Sequence, residues 1–332
     1  DILTTANLPA TLGADAPYEN MGTIQTKGWE LAIDYRHTFK NGLHFGVTAS
    51  VADDKTEVTK WTYNTKIPSY GATGWWDKSA YKEGMVLGDI WGLQFDRFLT
   101  EDDFNADGSL KAGLPDQTKV FPAGYQFAPG DVLYKDLDNN GEIVKQTNTN
   151  DKGDLSVIGN ALPRLQFGLN LDAAWKGFDI SMFFQGVAKR KLWAAGNQVL
   201  PGFTTGEPFY KGAEDYWTPE NTDAFYPRPM DYKQSASGNY SVNDRYLLNM
   251  AYLRLKTFTV GYSLPKVWLS KFKVQGLRVY FTGENLFTID GVKPAIDPEI
   301  GIRTASGKSD QRNFGRSYPY QKTVSFGIQL SL

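Results

Sequence analysis

The sequence predicts an all-β chain: strands of a large antiparallel transmembrane β-barrel with long outer loops. Three observations predict it. Several segments alternate apolar and polar residues with a period of two. Short turns alternate with very long connections. No segment has the length and periodicity of a convincing helix. Period-two alternation builds a ribbon with one apolar and one polar face. A barrel wall needs that pattern, because one face meets lipid and the other a wet lumen.

The strands follow in order. Thr26 to Phe39 sets Lys27, Trp29, Leu31, Ile33 and Tyr35 against Gly28, Glu30, Ala32, Asp34 and Arg36. Leu43 to Ala52 sets Leu43, Phe45, Val47, Ala49 and Val51 against His44, Gly46, Thr48 and Ser50. Asn41-Gly42 between them is a hairpin signal. Arg164 to Trp175 and Phe178 to Val187 form a second pair around Lys176-Gly177. Tyr252 to Tyr262 and Leu277 to Ile289 form a third, the first of these with mixed faces. The chain ends with Val324, Phe326, Ile328, Leu330 and Leu332 opposing Thr323, Ser325, Gly327, Gln329 and Ser331. In water such an end would be a sticky edge. It reads either as the closing strand of a barrel or as the edge of a soluble sandwich. Leu87 to Leu99 alternates through Trp91, Leu93 and Phe95, as a spanning strand or a hairpin arm within a long loop.

The connections are the stronger evidence. Asp53 to about Pro163, Ala188 to Asn249 and Asp290 to Tyr320 are longer than compact soluble domains tolerate without internal structure. Bacterial barrels combine short periplasmic turns with long extracellular loops. Asn41, Gly177 and the Pro265 to Gly276 connector are therefore expected on the periplasmic side. The strands so read number seven, whereas bacterial single-chain barrels have an even number. Parity then predicts that residues 1 to about 20 begin on the outer face and that earlier strands lie elsewhere. The start at Asp1, without Met or signal peptide, is expected to be a processed end or a cut in an exposed loop.

Composition narrows the classes. The 332 residues carry a net charge of −2, which excludes an electrostatic footprint for nucleic acid. Aromatic residues make up 14%, suiting interfacial girdles or stacking surfaces. Mean hydropathy is −0.42, and no run approaches the roughly 18 apolar residues of a membrane helix. Barrel strands show no such run, since only alternate residues meet lipid. There are no cysteines and two histidines, His37 and His44, which argues against a disulfide framework, a catalytic triad or a histidine-rich metal site. No nucleophile elbow, phosphate loop or metal-hydrolase motif occurs. Glu284 and Asp179 are not marked as an acid–base couple, and no enzyme is expected.

Several ordered motifs resemble those of SusC/RagA-type TonB-linked outer-membrane transporters. Asn20-Met21-Gly22-Thr23-Ile24-Gln25-Thr26-Lys27-Gly28-Trp29-Glu30-Leu31 is similar to the family's "N-x-G-x-I-x-N-K-G-x-E-L" stretch. Glu83 to Gly88, Pro129 to Asp136, Val157 to Pro163 and Lys176 to Asp179 follow in the family's order. Tyr252 to Lys256, Gly261 to Pro265, Gly283 to Thr288 and Asp297-Pro298-Glu299 complete the set. The resemblance covers nearly the whole chain. It implies that residues 1–332 are the C-terminal part of one barrel of roughly 22 strands. It also implies an N-terminal plug and barrel portion outside this chain, a SusD-like lipoprotein lid, and coupling to TonB through the plug. The implied function is import of oligosaccharides or oligopeptides across a Gram-negative outer membrane. The alternative is a carbohydrate-binding β-sandwich or small-barrel surface protein.

Two groups of residues are candidate sites. Asp136-Leu137-Asp138-Asn139-Asn140-Gly141-Glu142-Ile143 has the front half of a calcium loop, with oxygen ligands at positions one, three and five and Gly at six. Position twelve holds Thr147 instead of an acid. In the family resemblance the closing acid is Asp154, with Asp151 as its rival. Structural Ca2+ on Asp136, Asp138, Asn140, Glu142 and Asp154 stands against a plain Asx turn; no other cofactor is expected. Trp75, Trp76, Tyr210, Tyr216, Trp217, Phe225 and Tyr226 are candidates for stacking on substrate or anchoring the lid, against packing of one loop on another. Asp102, Asp103 and Asn105-Ala106-Asp107-Gly108 read as a solvated acidic turn. Lys189-Arg190-Lys191 reads as a solvated rim or as a contact for anionic lipopolysaccharide or an acidic substrate.

Overall fold

The computed structural model describes residues 2–5, 13, 17–61, 83–145, 153–194, 196–203, 209–230, 238–272, 274–293, 296–299, 304–305, 308–309 and 318–331. One long antiparallel sheet dominates. Its path runs through β1 (Ile2–Thr5), β2 (Tyr18–Thr38), β3 (His44–Trp61), β8 (Arg164–Trp175), β9 (Phe178–Lys189), β12 (Tyr252–Ser263), β13 (Gly276–Glu284) and β17 (Thr323–Ser331). β14 (Thr288–Asp290) pairs with β12 beyond the end of β13, and β15 (Thr304–Ala305) pairs with β16 (Lys308–Ser309) off the main sheet. Sequence neighbours are spatial neighbours, as in an up-and-down barrel wall.

Eight strands lie on this path, which corrects the count of seven. The added strand is Ile2–Thr5, paired with the Tyr18 end of β2. The parity inference drawn from seven strands has no support in this sheet. Leu87 to Leu99 does not span: β4 (Asp89–Gly92) pairs with β7 (Ser156–Asn160), and β5 (Phe95–Phe98) with β6 (Val132–Tyr134), both off the main sheet.

The turns obey local chemistry. Trp175 pairs with Phe178 around Lys176-Gly177, which sit at φ 49° and 88°. Two successive left-handed residues match the twist of a two-residue hairpin, and Gly tolerates that conformation without a steric cost. Between β12 and β13 the connector holds a short helix, α1 (Lys266–Leu269), started by Pro265.

Register aligns residue type across the sheet. Phe45, Ala173, Ile180, Val260, Phe281 and Phe326 are successive direct partners, and so fall on one face. One residue along, Arg36, Gly46, Asp172, Ser181, Thr259, Thr282 and Ser325 fall on the other. The mixed faces of β12 have a cause. The ladder to β9 slips between Leu255 and Thr257, so Leu255 pairs with Phe184 and Thr257 with Phe183. This bulge at Lys256 switches the phase, since an extra residue inverts every later side chain. Leu253 and Leu255 before it share the apolar face with Phe258, Val260 and Tyr262 after it.

The apolar face is uncovered among the described residues. Phe326 is 81% exposed, Ile328 74% and Ile33 55%. The sandwich alternative requires this face to be packed against a second sheet, so it is set aside. The interior lies instead among the long connections. One apolar core joins Ile90, Trp193, Leu200, Tyr226, Tyr246, Met250, Val292 and Ile296. A second joins Leu93, Phe98, Phe121, Val132, Tyr134, Ile143 and Trp217. All three long connections contribute to the first core.

The two faces generate a prediction. In the full-length protein, Ile328→Arg will lower the amount assembled in the membrane, by about 2–4 kcal/mol if the site lies near the bilayer midplane. Gln329→Arg, on the opposite face, will assemble normally. Heat-modifiable migration of the membrane fraction on a gel distinguishes them.

Candidate functional site

The long connections bring the candidate residues together in two places. The first is an open cavity of about 510 Å³ lined by Pro201, Phe209, Tyr210, Lys211, Glu214, Tyr216, Tyr226, Pro227 and Tyr240. Tyr210 and Tyr216 are 39% and 40% exposed, so each offers a ring to a visitor. Tyr226 is buried in the cavity floor and its hydroxyl donates to the Val199 carbonyl (2.9 Å). Burial, with Asp215 nearby, pushes the Tyr226 phenol up to about 12. Burial also holds Tyr240 well above its ordinary value. Tyr226 and Tyr240 therefore stay neutral, and one lysine, Lys211, and one glutamate, Glu214, also line the cavity.

Trp217 and Phe225 do not serve as exposed rings. Trp217 is buried in the second core, where the backbone of Gly130 lies against it: a Cβ at Gly130 would sit 2.5 Å from the indole. Phe225 packs edge-on to Tyr226 and Tyr246, and Arg245 sits 5.5 Å from its centroid. For these two residues, as for buried Tyr226, loop-on-loop packing is the arrangement found. Trp75 and Trp76 lie outside the described residues.

The second place is the acidic loop. Asp136, Asp138 and Asp154 offer carboxylate oxygens all within 4.8 Å of one another. The loop folds by Asx chemistry: Gly141 N–H donates to Asp136 Oδ2 (2.8 Å), and Asn140 N–H donates to Asp138 Oδ1 (3.1 Å). Asn139 and Gly141 adopt φ 58° and 85°, the left-handed turn that Gly at position six allows. Asp154 is fully buried and caps the N–H groups of Leu137 and Val144, both at 2.7 Å. It thus closes the loop from the far side. Asp151 lies outside the described residues.

Two expected ligands point elsewhere. Glu142 pairs with Lys119, and Asn140 Oδ1 accepts from the Glu142 N–H. Desolvation, followed by the facing Asp154 and Asp136 carboxylates, pushes the Asp138 carboxyl up. For Asp136 desolvation works the same way, but N–H donation from Gly141, Asn139 and Asn140 outweighs it and holds the group down. Among the described residues no lysine or arginine pairs with any of the three. Three hard oxygen donors without a counter-cation among the described residues could hold a Ca2+ ion.

The neighbouring acidic turn is not simply solvated. Asp103 receives both Arg97 guanidinium nitrogens, at 2.5 and 2.7 Å, and the Thr100 N–H at 2.8 Å. The Arg97 hydrogen bond, acting with the Thr100 amide against desolvation, holds its carboxyl at about 2.

Two buried charge clusters escaped sequence reasoning. Asp131, 0% exposed, accepts from Tyr125 Oη, Arg228 Nε and Asn239 Nδ2 at 2.8–2.9 Å, tying the first long connection to the second. Arg254 projects from β12 and donates to Asp297 (2.7 Å) and Glu299 (2.9 Å) of the last connection. Lys256 reaches the same Glu299, and both cations lie beside the Tyr320 ring, at 4.8 and 5.4 Å. The signal was present: Asp297-Pro298-Glu299 and Tyr252 to Lys256 were separate motifs whose charges are opposite.

A two-faced antiparallel sheet, apolar outside, polar inside and crowned by interlocked long loops, defines the wall of a transmembrane β-barrel. The sequence relatives agree. The chain is 26% identical to the TonB-dependent receptor P3 of Formosa agariphila over 99% of its own length and 31% of that protein. It is 22% identical to the TonB-dependent receptor SusC of Bacteroides thetaiotaomicron over its full length and 29% of that protein. It superposes on a structure of the RagAB peptide transporter with a TM-score of 0.66 and 19% identity, covering 99% of this chain and 31% of the other. No protein-family profile matches the chain. The chain is thus similar to TonB-dependent receptors, SusC among them, and spans about a third of the length of the relatives it matches.

Two outcomes test the buried charges. Arg254→Met leaves Asp297 and Glu299 buried with Lys256 alone, and should destabilise the last connection by about 3–5 kcal/mol. Limited proteolysis near residues 296–299 will report it. The carboxyl of Asp103 is lower when folded than its unfolded value of 3.8, so its stabilisation is complete above about pH 4 and lost as pH falls toward 2. Asp103→Asn will therefore flatten the acid limb of a proteolysis-versus-pH profile.

Proposed function

We propose that this chain is part of the barrel wall and outer mouth of a transporter that imports large nutrients across the Gram-negative outer membrane. The observation that carries this reading is the continuous exposed apolar face of the main sheet. In water that face would aggregate; in a bilayer it is solvated by lipid chains. On this reading residues 1–332 belong to one barrel domain, the long connections are extracellular, and a plug lies outside this chain. Transport draws on TonB pulling the plug, with a SusD-like lipoprotein closing the mouth. The substrate is an oligosaccharide or an oligopeptide. The relatives are described as receptors and a transporter, which supports a role without catalysis.

Tyr210 and Tyr216 are the contacts for substrate or lid at the cavity in the loops. In cells carrying the full-length protein, replacing both by Ala should raise the half-saturating substrate concentration for uptake at least tenfold, about 1.4 kcal/mol shared between the two rings. Unchanged uptake with the lipoprotein still co-purifying would remove the cavity from the pathway. Uptake that persists without TonB would remove the transport reading itself.

Asp136, Asp138 and Asp154 would hold a structural Ca2+, which would neutralise their mutual repulsion and order the loop. A chelator should lower the melting temperature of the detergent-purified full-length protein, and Ca2+ should restore it. Asp138→Asn should abolish that response. A melt indifferent to chelator would rule the ion out.

A further inference from the structure

We infer that Arg164, Lys189, Arg190 and Lys191 form a binding site for phosphate or sulfate ester groups on a saccharide. The four cations line one cavity of about 340 Å³, with Asn160, Leu162, Ala188 and Asn249 completing it. They come from different elements. Arg164 opens β8 and is the direct partner of Lys189, the last residue of β9. Lys191 lies in β10 (Lys191–Leu192), held by its ladder to Asn249 of β11 (Leu248–Asn249). The Met250 N–H donates to the Arg190 carbonyl (3.0 Å), so the basic run is fixed on both sides.

The charge balance is lopsided. Arg164 is locked by Asp53, through Nε and Nη2 at 2.5 and 2.6 Å. Arg190 Nε donates to the Ala161 carbonyl (3.2 Å), which orients its guanidinium. Among the described residues neither Lys189 nor Lys191 lies within ion-pair distance of a carboxylate. A concave site with two ammonium groups outside any ion pair among the described residues, Lys189 feeling Asp53 only at longer range, suits a multiply charged oxyanion. Lysine acts there as a point charge and arginine as a directed fork.

The cavity sits at the end of the sheet that carries the long connections. Two sources supply such a group there: phosphates of lipopolysaccharide in the surrounding leaflet, or an acidic saccharide in solution. Placing this end outside the cell rests on the proposed function; the anion chemistry does not.

The test uses the full-length protein in detergent at low ionic strength. It is titrated with lipid A in micelles, with dephosphorylated lipid A, and with a sulfated disaccharide. The expected result is measurable binding of lipid A or of the sulfated disaccharide, weakened about tenfold or more in Lys189→Gln/Lys191→Gln at unchanged melting temperature. Lys189→Arg/Lys191→Arg should retain it. Lipid A preferred over its dephosphorylated form identifies the leaflet source; the disaccharide alone identifies the soluble one. If no probe binds, or the Gln variant binds within twofold of the parent, the inference is overturned, whether or not the protein transports anything.

Discussion

The structure depends on one constraint: in hydrocarbon, each backbone N–H and C=O must find its partner within the protein. An antiparallel sheet meets that demand between its paired strands while freeing the two faces to differ. Side chains then sort by solvent, not by burial in a core. Phe45, Ala173, Ile180, Val260, Phe281 and Phe326 line up on one side, while Asp172, Ser181, Thr259, Thr282 and Ser325 line up on the other. Among the described residues, more than half of the large exposed apolar side chains belong to strands of the main sheet, the reverse of a soluble domain.

The connections obey the opposite rule. They bury Trp193, Leu200, Tyr246 and Met250 as a water-soluble protein would. Buried charge then decides which segment meets which. Asp131 recruits Arg228 and Asn239 across the first two connections, and Arg254 recruits Asp297 and Glu299 from the third. A lone charge in such places is costly, so losing either partner of these contacts is penalised.

Strands with strict alternation were legible in the sequence, because period two is a local property. β17, β8 and β9 lie close to where their alternation places them. The phase of β12 was not legible, because the bulge at Lys256 is set by its ladder to β9. Ile2–Thr5 is too short to show a period. In the candidate site, the Asx turn of Asp136 to Gly141 was readable from spacing, and the approach of Asp154 to that loop from the resemblance. The burial of Trp217 and Tyr226 was not, since an aromatic residue in a loop looks the same whether it faces solvent or a neighbouring loop. The pairing of Glu142 was not legible for a similar reason: its partner, Lys119, lies in a distant part of the same connection.

The shared core of the three connections has a consequence for how such a mouth diversifies. Ile90, Trp193, Tyr246 and Val292 interlock, so a graft of any single connection from a relative would leave holes against the other two. Transplanting specificity therefore calls for exchange of the three as a block, and natural variants should differ there in concert.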